Sequence, residues 1–167
     1  MSPGGQPDQL DKRILELLLE DARTPYLEIA RMCEVSGATV HLRIQKLEKM
    51  GILKGSRLIL DYKKLGLGVR AFLGLYLDKL NHYDDILGQL RKIPEITECH
   101  FTTGEYAIFL KVHCRSTDHL RDLLINELQA IPYVRRTETF ISLEQNFQRE
   151  PDLSGLFGGT ENQASPE

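Results

Sequence analysis

The sequence predicts an α+β protein in two parts, an N-terminal winged helix-turn-helix domain and a C-terminal ferredoxin-like βαββαβ sandwich. Three observations carry that expectation. Two short amphipathic stretches meet at a tight corner between Thr24 and Met50. Positive charge is concentrated in the second stretch and just after it. From Val69 onward, strand-like and helix-like runs alternate as β-α-β, β-α-β. The expected layout is a first domain over 8–61, a linker over 62–68 and a second domain over 69–147. The tails 1–7 and 148–167, rich in Gly, Pro, Ser and polar groups, are expected to be disordered.

In the first domain, Gln9 to Glu20 carries Leu10, Ile14, Leu17 and Leu18 at helical spacing, so a first helix should pack across the pair that follows. Thr24 is a candidate N-cap with Pro25 at the first helical position, and Ile29, Ala30 and Cys33 give that helix its apolar side. Val35 marks the corner and Ser36 is a second N-cap. Val40, Ile44 and Leu47 then recur at i, i+4 and i+7 until Gly51 offers a left-handed stop. Beyond it, Ile52 to Lys54 and Ser56 to Leu60 are β-prone runs around Gly55, which read as a small β wing bearing Lys54 and Arg57.

The outward side of the third helix is where a nucleic-acid reading gains content. At roughly 100° per residue, the side opposite Val40, Ile44 and Leu47 holds Ala38, Leu42, Gln45 and Lys49, flanked by Thr39, His41 and Lys46. Gln can pair with an adenine edge, Thr and small apolar groups can meet a thymine methyl, and Lys or His can reach phosphates. Leu42 is either ordinary surface or a methyl contact, and Arg43, at the edge of the inward stripe, either braces the helix or touches the DNA backbone. The chain as a whole is acidic, with net charge −3, which alone argues against nucleic acid. Residues 36–64, however, hold seven basic and two acidic side chains, whereas 8–35 hold four basic and seven acidic. A basic surface confined to the third helix and the segment after it is what phosphate neutralisation requires.

The second domain begins with a strand-like run, Val69 to Leu77. Its odd positions, Val69, Ala71, Leu73, Leu75 and Leu77, form one face, and Arg70, Phe72, Gly74 and Tyr76 form the other. Asn81 is placed to cap a helix bearing Ile86, Leu87 and Leu90, closed by Ile93 and Pro94. Ile96 to Thr102 reads as a second strand, Thr103 to Glu105 as a turn, and Tyr106 to Cys114 as a third strand. Ser116 or Thr117 caps a helix with Leu120, Leu123, Leu124 and Leu128, ending at Pro132, and Val134 to Leu143 is the last strand. With both helices on one face of an antiparallel sheet, Phe72, Tyr76, Ala107 and Phe109 fall on the other. A sheet-to-sheet homodimer would bury them and would suit a pseudo-palindromic operator; the alternative is scattered surface aromatics.

Leu10-Asp11, the run from Glu28 to Gly51, Glu98-Cys99 and Thr103-Gly104-Glu105-Tyr106 together resemble the Lrp/AsnC (feast/famine) transcription regulators, over roughly 8–147 and in that family's order. The resemblance implies an N-terminal reader of double-stranded DNA and a C-terminal domain for oligomerisation and effector binding. It further implies dimers assembling into octamers or other rings, and control by a small amino acid. In the family the turn commonly reads Gly, acidic, Tyr, Asp, at the contact between dimers where the amino acid binds. Here it reads Gly104, Glu105, Tyr106, Ala107, so the usual second acid is missing, and altered specificity and loss of response both stay open. Within the expected site, Thr103 to Ala107, Gly104 can offer an unhindered backbone N–H to a carboxylate and Glu105 can pair with an α-amine. Thr137 and Thr139 are hydroxyl candidates for the same cleft, or plain β-branched strand residues.

Other chemistry finds little support. Cys99-His100 and His113-Cys114 invite a metal reading, but neighbours on a strand point to opposite faces, so no metal or other cofactor is expected. Three unpatterned cysteines fit a reducing compartment, no stretch is long enough to span a bilayer, and a cytoplasmic location is expected. No P-loop, nucleophile elbow or dinucleotide fingerprint occurs. Three classes therefore compete: a ligand-gated DNA-binding regulator, which everything above favours; a sensor or assembly module of the same fold without specific DNA binding, favoured by the acidic total charge; and a small enzyme of ferredoxin-like fold, disfavoured by the lack of an acid-base pair near the turn.

Overall fold

The computed structural model describes residues 6–78, 80–153 and 155–156. Most of the expected tails, residues 1–5 and 157–167, lies outside the described residues, and Gln6–Pro7 and 148–153 form neither helix nor strand. The chain divides into two compact units, one ending at Leu58 and taking in the chain from Gln148, the other Ile59–Phe147, so the expected linker 62–68 belongs to the second. Among the described residues no helix is long and apolar enough to cross a membrane.

The first unit holds α1 (Gln9–Glu20), α2 (Tyr26–Met32) and α3 (Gly37–Lys49) around a core of Ile14, Leu17, Ile29, Ala30, Val40 and Ile44. A capping box starts α1. Asp8 Oδ1 accepts from the N–H groups of Leu10 and Asp11, both at 3.0 Å, while Asp11 Oδ2 accepts from the Asp8 N–H at 3.1 Å. At the corner, Glu34 takes a left-handed φ of 54°, letting the Val35 N–H reach the Ala30 carbonyl at 3.0 Å. Ser36 caps α3 as expected, its Oγ accepting from the Thr39 N–H at 3.1 Å, and Gly51 ends the helix at φ +70°.

Two local expectations for this unit are corrected. Thr24 does not cap α2: its hydroxyl donates back to the Asp21 carbonyl at 2.8 Å, and Pro25 takes the N-cap position. Nor does a β wing form, because residues 51–60 contain no strand. The N–H groups of Ile52 and Leu53 instead donate to the Leu47 carbonyl at 3.0 and 3.2 Å, closing the end of α3, and Leu53 packs on the core. Most of the first arm is thereby committed to the helix, and an isolated hairpin is at best marginal in water. Between Gly55 and Leu60 the chain has no ladder, and Leu58 and Ile59 are 77% and 99% exposed.

The second unit is the expected sandwich. Strands β1 (Val69–Leu77), β2 (Ile96–Phe101), β3 (Ile108–Cys114) and β4 (Val134–Ser142) form one antiparallel sheet in the order β2-β3-β1-β4. Helices α4 (Tyr83–Leu90) and α5 (Thr117–Asp122) cover one face, α5 continuing as a π-helical turn over Leu123–Leu128. Leu73, Leu75, Ile108, Leu110 and Val112 of the sheet are packed there with Ile86, Leu90 and Leu128. Ser116 caps α5, accepting from the His119 N–H at 3.1 Å. Asn81 does not cap α4: it sits in a short 3-10 turn, Leu80–His82, and His82 holds the cap position without a side-chain bond. The third strand starts at Ile108 rather than Tyr106, a shift with consequences for the open face.

Candidate functional site

On α3 the structure separates two sets of the expected contact side chains. Ser36, Ala38, His41, Leu42, Gln45 and Lys49 are exposed, Leu42 by 64%, whereas Thr39, Arg43 and Lys46 are half-buried. The Thr39 hydroxyl shares a hydrogen bond with Ser36 at 2.8 Å, and Gln45 Nε2 lies 3.0 Å from His41 Nε2, one helical turn back. Lys54 and Arg57, expected on a wing, are exposed on the strandless segment after Gly51.

Lys46, expected on the outward flank of α3, points back to α1 instead, and Arg43 takes the bracing alternative of the two left open for it. Arg43 donates to Asp8 and, at 3.3 Å, to both oxygens of Asp11, while Lys46 Nζ donates to Asp11 Oδ2 at 3.2 Å. The Asp11 side chain is 0% exposed. A buried carboxylate must be paired, and two cations from one helix fasten α3 to α1. Burial would raise the Asp8 carboxyl, but the Asp11 N–H and the Arg43 guanidinium outweigh it and hold it below its ordinary value. Helix α3 is thus braced on one side and exposed on the other.

In the second unit, directly opposed residues share a face of the sheet, so the register fixes the open side. Phe72 lies between Lys111 and Phe140, Gly74 between Phe109 and Glu138, and Tyr76 opposite Arg136. Phe72 and Phe109 stack at 5.9 Å. Because β3 starts only at Ile108, Tyr106 escapes strand alternation and folds onto this face, its ring 5.1 Å from Tyr76, 6.1 Å from Phe109 and 6.4 Å from Phe140. The ring occupies the space where Gly74 lacks a side chain: a Cβ there would lie 2.4 Å from Tyr106 Cδ1.

The turn beside it is pinned by its backbone. The Ala107 N–H donates to the Leu75 carbonyl and the Thr102 N–H to the Ala107 carbonyl, both at 3.1 Å, while the Thr102 hydroxyl donates to the Tyr106 carbonyl. Thr103, Gly104 and Glu105 are exposed, with Gly104 at φ +120°, a conformation reserved for glycine. Thr137 and Thr139 do not join them. Paired with Leu75 and Leu73, they lie on the helix-covered face. The β4 residue that meets the turn is Glu138, unremarked in the sequence. Its Oε2 accepts from the hydroxyls of Tyr76 and Tyr106, both at 3.1 Å, and from Arg136 at 3.3 Å, and the Tyr76 hydroxyl also lies 3.4 Å from Glu105. Partial burial and the Glu138 carboxylate push the Tyr76 phenol up to about 12 and raise Tyr106 as well. Strand alternation assigns Glu138 to the open face once β4 is paired, and that pairing was the missing signal. Among the described residues no cluster of three potential metal ligands forms.

A braced helix-turn-helix and a separate sheet domain with a solvent-facing turn define a DNA-binding regulator with a second, ligand-binding domain. Residues 8–48 match the AsnC-type helix-turn-helix domain and residues 70–152 the Lrp/AsnC ligand binding domain. The chain belongs to the Lrp/AsnC family and is a transcriptional regulator of that type. It is 42% identical over 142 residues to Regulatory protein AsnC of Escherichia coli strain K12, an overlap covering 85% of this chain and 93% of that protein. It is 34% identical over 137 residues to the HTH-type transcriptional regulator FL11 of Pyrococcus horikoshii, covering 82% and 89%. The solved structure of E. coli AsnC superimposes with a TM-score of 0.83 at 41% identity, covering 88% of this chain and 99% of that one. The transcriptional regulator NMB0573 of Neisseria meningitidis, solved as an L-Met complex, shares the fold with a TM-score of 0.85 at 22% identity, covering 90% and 99%.

Proposed function

We propose that the chain reads operator DNA through the exposed side of α3, as a homodimer joined through the open sheet face, and that a small amino acid acting at the turn Thr103–Ala107 modulates it. The observation that carries the first part is the Asp11 brace, which fixes α3 while leaving Ala38, His41, Leu42, Gln45 and Lys49 outward. Gln45 offers the base-edge contact and Lys49, Lys54 and Arg57 the phosphate contacts. A salt-dependent gel shift against the promoter of its own gene tests this: specific retention that weakens steeply with salt is expected, and equal affinity for unrelated DNA contradicts it.

The stacked Phe72 and Phe109, with Tyr106 and Phe140 around them, support a sheet-to-sheet homodimer, and octamers or other rings would extend it. Phe72→Asp with Phe109→Asp should give a monomer by light scattering and weaken operator binding, because unpaired charge is strongly disfavoured in an apolar interface. A variant that stays dimeric contradicts the assignment.

The effector reading rests on the pinned turn with its exposed Gly104 and on the ligand-binding domain match, and the L-Met complex of the Neisseria protein names the chemical class to try first. Thermal melting against the twenty amino acids tests it, since a ligand at about 100 times its dissociation constant adds about 2.7 kcal/mol. Action on chromosomal operators implies a cytoplasmic location.

A further inference from the structure

Glu138 is the second carboxylate at the turn, contributed by the far strand rather than by the turn itself. Ala107 leaves the turn with Glu105 as its one acid, yet Glu138 Oε2 lies 3.1 Å from the hydroxyl of Tyr106, a residue of the turn. The same oxygen takes the Tyr76 hydroxyl and Arg136, so one atom of β4 gathers groups from the turn, β1 and its own strand. Arg136 also lies over the Tyr76 ring, 4.8 Å from its centroid. The fit of the Tyr106 ring is steric as well as polar, because Gly74 alone leaves room for it.

We propose that Glu138 is a positioning residue for the amino-acid site: with Gly74 beneath the ring, it holds Tyr106 flat on the sheet and so sets the shape of the turn that takes the ligand. The inference rests on the reading of that turn as the effector site. It also links the site to the open face, since the ring that Glu138 holds packs against Phe109 and Phe140. A ligand that moves Tyr106 therefore acts on the surface assigned to the dimer.

Calorimetry with free amino acids on wild type, Glu138→Gln, Tyr106→Phe, the double variant and Gly74→Ala tests the proposal. Glu138→Gln and Tyr106→Phe should each bind about tenfold more weakly, the scale of one charge-assisted hydrogen bond, and the double variant no worse than either alone. Gly74→Ala should weaken binding while leaving every polar group in place. The chain has no Trp, so tyrosine emission is visible, and Glu138→Gln should raise it by removing a quenching carboxylate acceptor. Circular dichroism confirms folding of each variant, and Glu138→Gln, nearly isosteric, decides the matter where Gly74→Ala does not fold. If wild type binds an amino acid and Glu138→Gln binds it equally well, or if the single losses simply add, the positioning role is overturned while the effector site stands. If wild type binds none of the twenty, both fall.

Discussion

Asp11 and Glu138 are each the hub of a cluster, and they are built in opposite ways. Asp11 is fully buried and receives two cations and a backbone N–H; Glu138 keeps 35% of its side chain exposed and receives two neutral phenols and one exposed guanidinium. A buried charge with full-charge partners is costly to disturb, so it fixes geometry. A half-exposed carboxylate with neutral donors can exchange a partner for water or ligand at little cost. The first arrangement suits a helix held in one orientation, the second a turn that can rearrange.

The largest break in this contrast should come from Asp11→Ala, which takes the carboxylate from Lys46, leaves Arg43 with Asp8 alone and removes half of the capping box. A loss of about 3 kcal/mol in urea unfolding is expected, at the low end for a broken buried pair because both cations are partly exposed. A loss below about 1 kcal/mol would mean that the brace is an ordinary surface pair. Gly104→Ala should cost less, about 1–2 kcal/mol, because φ +120° strains any residue with a Cβ although the space around it is open. Unchanged stability would show that the turn relaxes freely.

A smaller effect is expected from His113, on the open face under the Tyr62 ring at 4.8 Å. Arg70 can only donate, so His113 Nε2 accepts its Nε–H at 3.3 Å and Nδ1–H faces the Thr97 hydroxyl at 3.2 Å. Burial first, then Arg70 and Lys111, push the imidazole below its ordinary value of 6.5, with Glu98 opposing. The folded state therefore binds the proton less readily than the unfolded one. Its contribution to stability is whole above 6.5 and is lost as pH falls from there towards the folded value. Urea midpoints should drop over that window in wild type and hold steadier in His113→Asn; parallel curves would remove His113 as the cause.

Local signals were legible in the sequence, and partnerships across the chain were not. The Ser36 cap, the Val40-Ile44-Leu47 stripe, the Gly51 stop and the two faces of β1 each follow from neighbouring residues, and all stand in the structure. The brace joins residues more than thirty apart: the pattern of α3 put Arg43 at the edge of the inward stripe without naming its partner, and nothing in it says that Lys46 turns towards α1. The wing failed because Ile52 and Leu53 had a nearer acceptor in Leu47. Starting β3 two residues early concealed the move of Tyr106 onto the open face. Grouping Thr137 and Thr139 with the turn chose the wrong face of β4, one residue to either side of Glu138.

The claim that α3 divides into a braced side and a reading side is tested most directly by the salt dependence of operator binding in Lys49→Ala and Lys46→Ala, measured where both are folded. Lys49 is exposed and Lys46 is held by Asp11. Lys49→Ala should weaken binding and flatten the slope of log affinity against log salt by about one, while Lys46→Ala should lower stability and leave the slope of the folded protein unchanged. A flattened slope in Lys46→Ala with none in Lys49→Ala would contradict the division.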